Sequence, residues 1–578
     1  MWFCNLCFCL FHFCQECTFT KQQYSCSRLD GSDNVTVGFG INDSMVMCFN
    51  ELGCGEAALR KFSAITSIPG FAHNTYRRLS KKVGGAHAEV SANVLCAAVH
   101  AVHNAYVHGD EDDGNSDVDV GISGEDDDVG HVNNSDVSES SDVEDHGTDS
   151  NQRGDTNNDG GRGSSDDGDT DSDGDDGNGG AGVVDITVSF DGTWHKRGFT
   201  SNYGVGIVID VSTGLVLDFE VLSKYCQACA LHSNREVTEA EREEWRREHA
   251  SHCEKNYEGS SKGMEKEAAL RLWGRSLQKN KMRYTKMLSD GDSVAYKAVV
   301  DANYYPVEKL ECVNHCDKRM GTALRKKAKE GKLGGRRHGA LTANACTTLQ
   351  SYYRNAIMQN LNNPEKMRQA IWASFLHCTS TDEKPQHQQC PDGQTSWCFY
   401  KKAVATGQQP PPHKQNVGTP MSGDVAKAVK PIYDRMSDLN LLNRVLHGRT
   451  QNANECLNGQ IWARCPKTVH VGASRINAAV ASAVSHFNQG CSHLFHVMKK
   501  LGVTPAEELQ VYQQRQDAKR CAQGQLQAQI TSKRARKNSK KAKKINNRQA
   551  GETGGPDIWP RNVLKDCDYC LLYIVNRK

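Results

Sequence analysis

The stretch Val183-Val184-Asp185-Ile186-Thr187-Val188-Ser189-Phe190-Asp191-Gly192-Thr193-Trp194 decides the fold. Its branched and aromatic residues predict a buried strand over Val183–Phe190 that ends on an aspartate. Two further strands are expected at Tyr203–Val211 and Leu215–Leu222, joined by the turn signal Ser212-Thr213-Gly214. Glu265–Gln278 reads as a helix with Ala268, Ala269, Leu272 and Leu277 on one face. Arg283–Leu288 is a fourth strand, Ser293–Ala302 a second helix and Val307–Cys312 a fifth strand.

Three antiparallel-looking strands, then helix, strand, helix and strand, resemble the order of a ribonuclease H-like domain. The expected class is α/β: a ribonuclease H-like mixed-sheet core with a helical, Cys/His-rich insertion, a small helical N-terminal module and disordered segments. The expected boundaries are a Cys-rich terminus over 1–33 and a helical part over 34–108. An acidic linker follows over 109–182, then the first part of the core over 183–316. The insertion takes 317–450, the core resumes over 451–503, and a polar and basic tail fills 504–578.

Net charge is +1, but the chain is polarised. From Asp110 to Asp176 there are 25 Asp and Glu against Arg153 and Arg162. The rest carries 68 basic and 44 acidic residues, about +24, which points to a polyanionic partner, nucleic acid first. The acidic stretch is also rich in Gly and Ser, cannot bury enough apolar surface to offset chain entropy, and is expected to be disordered. Lys533–Arg548 holds nine basic and no acidic residues, which suits phosphate contacts or a nuclear localisation signal, against a plain solvated charge run. No run beyond the first twenty residues is long and apolar enough to span a bilayer. Met1–Phe19 is apolar, yet lacks a basic start and a small-residue cleavage site; Cys4, Cys7, Cys14 and Cys17 in two Cys-x2-Cys pairs offer one zinc site, against an unstructured terminus.

The chemistry-bearing residues are three acidic motifs: Asp191-Gly192, Asp290-Gly291-Asp292, and Asn454-Glu455 at the start of a helix-like stretch. Singly, an Asp-Gly after a strand is an ordinary turn. Together, two strand-end aspartates and a helix glutamate supply the hard oxygens that two Mg²⁺ (or Mn²⁺) ions need for phosphodiester exchange. Asp292 competes with Asp290; Asp290 follows the apolar strand more closely.

The 24 cysteines are read as reduced thiols, partly zinc-bound, because many lie near histidine at ligand spacing. Cys226-x2-Cys229 with His232, His249, His252 and Cys253 is one donor set; His377, His387, Cys390 and Cys398 are another. Cys312-x2-His315 offers two more candidate zinc donors. Buried cysteine with surface histidine is the alternative for each.

With these residues in order, the chain resembles a Mutator-like transposase. The marks are Asp191-Gly192-Thr193-Trp194, Cys226-x2-Cys229, His252-Cys253, Gly259-Ser260-Ser261-x2-Met264-Glu265, Gly291-Asp292-Ser293, Cys312-x2-His315, Ser396-Trp397-Cys398 and Asn454-Glu455-x2-Asn458-x2-Ile461-Trp462. The resemblance spans Asn34–Val107 and Val183–Val503. It implies cut-and-paste DNA transposition, metal ligation by Asp191, Asp290 (or Asp292) and Glu455, and Cys312 and His315 as the family's CysxxHis signature. DNA ends and target DNA are the implied partners, a homo-oligomer the implied assembly and the nucleus the implied location. The competing readings are an inactive, domesticated DNA-binding protein and a zinc-dependent interaction scaffold.

Overall fold

The computed structural model describes residues 38–68, 70–107, 182–196, 200–291 and 294–528, and the short strands Trp2–Phe3, Leu10–Phe13, Thr20–Gln23 and Arg28–Leu29. The N-terminal Cys-x2-Cys pairs, the acidic linker, Asp292 and the Lys533–Arg548 run lie outside the described residues.

The deciding stretch forms β1 (Val184–Trp194) at the centre of a five-stranded sheet. β2 (Tyr203–Asp210) and β3 (Val216–Ser223) extend it on one side, each antiparallel to its neighbour. β4 (Met282–Ser289) and β5 (Glu308–Glu311) extend it on the other, both parallel. The spatial order is β5-β4-β1-β2-β3. The β2–β3 turn is closed by Asp210, whose carboxylate accepts from Thr213 N at 2.6 Å and Thr213 Oγ1 at 2.7 Å, while Gly214 takes a φ of +69°.

Period-two alternation divides β1 between two cores. Ile186, Val188 and Phe190 face α6 (Met264–Asn280) and α7 (Val294–Ala302), packing with Leu272, Trp273 and Val299. Two glycines let α6 come close: a Cβ on Gly204 would stand 2.8 Å from Met264 Sδ, and one on Gly206 2.5 Å from Ala268 Cβ. On the other face Val205, Ile207 and Ile209 of β2 pack on α15 (Asn452–Arg464) and α16 (Ala473–Gln489) through Leu457, Ile461, Ile476 and Val480.

The N-terminal helices are not a separate module. After α1 (Gly40–Glu51) and α2 (Glu56–Thr66), α3 runs unbroken over His73–Val107, about 52 Å at 1.5 Å per residue. It gives Leu95 to one core and Val102 to the other. Glu51 ties α1 to the end of α15, accepting from Arg464 Nε at 2.8 Å.

Between β5 and α15 the chain makes a helical excursion with its own core. α4 (Gln227–Ser233) and α5 (Glu239–His249) lie earlier, after β3. The excursion comprises α8 (Val313–Glu330), α9 (Ala343–Met358), α10 (Pro364–Thr379), α11 (Phe399–Ala405), α12 (His413–Asn416), α13 (Gly423–Met436) and α14 (Leu439–Asn443). Leu324, Tyr353, Ile371, Val429 and Tyr433 are buried in its centre. The turn that returns from α14 is fastened to the end of β5 and the start of α8: Glu311 N donates to Arg444 O at 2.8 Å and Val313 N to Arg449 O at 3.2 Å. The expected polar tail is partly helical as well. After α17 (His493–Lys500), α18 (Glu507–Ala528) folds back, with Asp517 accepting from Cys491 N at 3.0 Å.

Candidate active site

Asp191 lies inside β1 rather than at its end, because pairing with β2 continues through Thr193 and Trp194. It has nonetheless passed the end of its parallel neighbour. β4 pairs with β1 only as far as Ser189, opposite Leu288. Two residues on from that pair are Asp191 and Asp290, so the two aspartates stand level at the carboxyl edge of the parallel strands.

Helix α15 lies along β1 and reads its outward side chains one by one. Ser189 Oγ donates to Asn454 Oδ1 at 2.6 Å. Asn458 Nδ2 donates to Asp191 Oδ2 at 2.8 Å. Trp462 Nε1 donates to Thr193 Oγ1 at 2.8 Å. Four helical residues rise about 6.0 Å and two strand residues about 6.6 Å, so helix positions 454, 458 and 462 stay in step with strand positions 189, 191 and 193. Gln451 anchors the start of the helix, donating from Nε2 to Phe190 O at 2.8 Å.

Glu455, one residue past Asn454, projects toward the Asp290 turn. His315 of α8 stands between the two, its Nδ1 on Asp290 Oδ1 and its Nε2 3.7 Å from Glu455 Oε1. Lys318 Nζ is 3.5 Å from the same Glu455 oxygen. The His315 contact and Lys318 hold the Glu455 carboxyl below its usual range against a desolvation that opposes them. Cys312 caps the start of α8 and its buried Sγ accepts from Gln451 N at 3.3 Å. The CysxxHis pair thus serves two tasks: Cys312 holds the segment that delivers α15, and His315 faces the carboxylates.

Asp191 is held otherwise. Burial comes first, then the nearby Glu265 carboxylate; Asn458 opposes them and Glu455 adds to them, and the carboxyl is pushed up to about 7. Glu265, in the first turn of α6, lies against Gly192: a Cβ there would stand 2.7 Å from Glu265 Cγ. Burial raises the Glu265 carboxyl too. Asn458 Oδ1 is buried with no hydrogen-bond partner among the described residues. Two half-buried carboxylates, Asp191 and Glu265, beside an unsatisfied amide oxygen offer hard-oxygen donors that fit Mg²⁺ or Mn²⁺.

Two further donor groups stand apart from this cluster. Cys226, Cys229, His249 and Cys253 bring their ligand atoms within 4.8 Å of one another, as do His377, His387, Cys390 and Cys398. A tetrahedron with Zn–S bonds of about 2.3 Å and Zn–N bonds of about 2.0 Å has edges of roughly 3.3–3.8 Å. The observed Cys226 Sγ–His249 Nε2 distance of 3.3 Å, Cys229–Cys253 Sγ separation of 3.5 Å and Cys398 Sγ–His387 Nδ1 distance of 3.4 Å suit that shape. In the second group the other nitrogen of His387 contacts Ser380 Oγ at 3.0 Å and His413 Nε2 at 2.9 Å, an outer layer of the kind that orients a ligating imidazole.

The structure corrects the expected donor sets in two places. Of the three histidines in the first expected set, His249, the last residue of α5, joins the cysteines, whereas His232 stacks on Trp245 at 4.0 Å and His252 Nδ1 contacts Ser251 Oγ at 2.5 Å. Cys312 and His315 join neither group, because the thiol is engaged by a backbone N–H and the imidazole by two carboxylates. Glu265 was not expected at the site. Its signal was the pair of glycines, Gly192 opposite Gly206, marking where a helix must approach the sheet.

A family model described as Mutator-like transposase matches residues 4–138 and 172–398. The chain belongs to the Mutator-like transposase family. The family match includes Asp191, Asp290, Cys312 and His315 and stops before Glu455. Comparison with curated proteins finds no match, and neither does comparison with solved structures. Among the described residues no helix is long and apolar enough to cross a membrane.

Proposed function

We propose that this chain is a DNA transposase that cleaves and rejoins phosphodiesters at a site built from Asp191, Asp290 and Glu455, with Asp292 the alternative to Asp290. What supports the reading is that Asn458 of α15 holds Asp191 while Asp290 and Glu455, one residue beyond the Asn454 of the same helix, stand on either side of His315. The strand order β5-β4-β1-β2-β3, parallel on one side of β1 and antiparallel on the other, supports a ribonuclease H-like core.

Two divalent cations bound there would supply Lewis-acid activation of water, and then of a 3′-hydroxyl, for in-line attack at phosphorus. The protein's own work is positioning. Asn458 fixes one Asp191 oxygen, and α15 holds Glu455 on the same side of the sheet. His315 spaces Glu455 from Asp290. Lys318 adds a positive charge at the rim, where a phosphate would arrive.

The two Cys/His groups fit structural zinc, stapling the α4–α5 excursion and the loop from α10 to α11. DNA ends and target DNA are the partners in this reading, acting with a homo-oligomer of the chain in the nucleus. Duplex DNA incubated with the protein and Mg²⁺ should yield nicked products with free 3′-hydroxyls, then joined strands. Salt-dependent DNA binding with no cleavage would favour the inactive DNA-binding protein instead.

A further inference from the structure

A groove of about 910 Å³ opens between the start of α3, the residues flanking Cys226 and the start of α16. Arg77, Arg78 and Lys81 line it from α3, Tyr225 from beside the first Cys/His group, His470 from the α15–α16 connection and Arg475 from the first turn of α16. Its carboxylates are Glu56 and Glu254, and Glu56 is already engaged by Arg60 and His73. Arg77, Arg78, Lys81 and Arg475 thus outnumber the groove's two carboxylates, with Arg475 already donating to Asn50 O and Arg464 O. Arg77 and Lys81 are exposed, so their charge is available to a ligand.

The groove is connected to the carboxylate cluster by the same two elements that build it. From Glu455 to Arg464, α15 rises about 13.5 Å. The chain then enters the connection that carries Lys467 and His470. Lys467 Nζ sits 5.1 Å from the centre of the Trp462 ring, and Trp462 is bonded to Thr193, two residues along β1 from Asp191. His470 packs edge-on to Tyr225 at 6.3 Å, inside the groove. Cations and aromatic rings alternate along this line, the composition that tracks a nucleic-acid backbone and its bases.

We infer that this groove is the track on which the phosphate backbone of a DNA strand lies as it leads into the carboxylate cluster. The inference rests on the DNA reading above and adds the surface that carries the strand. It assigns Arg77, Arg78 and Lys81 to phosphate contact and Tyr225 and His470 to ring contact.

The test is salt-dependent binding of a fluorescent duplex by the full chain, carrying Asp191→Asn so that the DNA stays intact. Each lost phosphate contact should reduce the slope of log affinity against log salt by about 0.9. The triple variant R77A/R78A/K81A should therefore bind with a slope shallower by roughly 2 to 3, and about 10- to 100-fold more weakly near physiological salt. R336A/R337A, in the exposed loop before α9, should bind like the parent. The single variants R77E and K81E keep the test decisive if the triple variant fails to fold; each should weaken binding with no change in melting temperature. Unchanged affinity and slope in the groove variants, beside a parent that binds steeply, overturns the groove and leaves the DNA reading standing. A parent that shows no salt-dependent binding fails the DNA reading and the groove together.

Discussion

Asn458 donates a hydrogen bond to Asp191 across 2.8 Å, from a helix that enters 267 residues later in the chain. The bond is the middle one of three, with Ser189–Asn454 before it and Thr193–Trp462 after it. Because helix and strand advance in step, α15 cannot slide along β1 without breaking all three. Glu455 inherits its place from that lock.

Asn458→Ala should lose the donor and leave one Asp191 oxygen unpaired. A destabilisation of about 1–3 kcal/mol is expected from the unsatisfied group. Asn458→Asp also adds a negative charge beside Asp191, so it should cost more stability without metal and regain it as Mn²⁺ is added. Chemical denaturation and a Mn²⁺ titration of both variants measure the two effects.

The raised Asp191 carboxyl makes stability depend on pH and on cations together. Its folded pKa of about 7 exceeds the unfolded value of 3.8, so the folded state holds the proton more tightly. Asp191 imposes no penalty below pH 4; the penalty grows as pH rises toward 7 and is complete above it. At about 1.36 kcal/mol per pKa unit its ceiling is about 4 kcal/mol. In chelator, Asp191→Asn should therefore melt higher than the parent at pH 8 and equally at pH 4. Mg²⁺ should stabilise the parent at pH 8 and leave the variant unchanged.

Gly206→Ala should disturb the site without touching it. The added Cβ would meet Ala268 Cβ at 2.5 Å and push α6 off the sheet, costing about 1–3 kcal/mol. Glu265 rides on the first turn of α6, so the same change should also alter cleavage in proportion to how far that turn moves. Thermal melting and cleavage rates on one preparation give both numbers.

Zinc content should divide by site. The folded chain is expected to hold two ions over residues 38–528, and Cys229→Ser or Cys398→Ser should each remove one. His252→Ala should remove none, whereas His249→Ala should. Metal analysis by mass spectrometry after exhaustive dialysis reads this directly. Strong chelation should lower the melting temperature of the parent more than that of either cysteine variant.

Much of the core was legible because β-rich runs and helix periodicity are local signals. The stretch from Val183, the hairpin at Ser212-Thr213-Gly214 and the helix holding Leu272 each announce themselves within a dozen residues. What local reading missed was set by partners distant in sequence. Trp194 belongs to a strand only because β2 pairs with it beyond the point where β4 stops. Helix α3 is continuous through Gly84-Gly85 because α16 and α17 pack along it. His249 joins the cysteines and His252 does not because the last turn of α5, rather than spacing alone, aims a ring at Cys226. Glu265 joins the carboxylates through the close approach of α6 at Gly192, a contact that no helix propensity encodes.

The central claim is that Asp191, Asp290 and Glu455 act as one metal-dependent phosphodiester site. The most direct measurement compares strand cleavage of duplex DNA in Mg²⁺ by the parent chain, Asp191→Asn and Glu455→Gln, each shown to be folded and to bind DNA equally. Cleavage by the parent alone, abolished in both variants and by chelator, is the predicted result. Equal cleavage by parent and variants would contradict it.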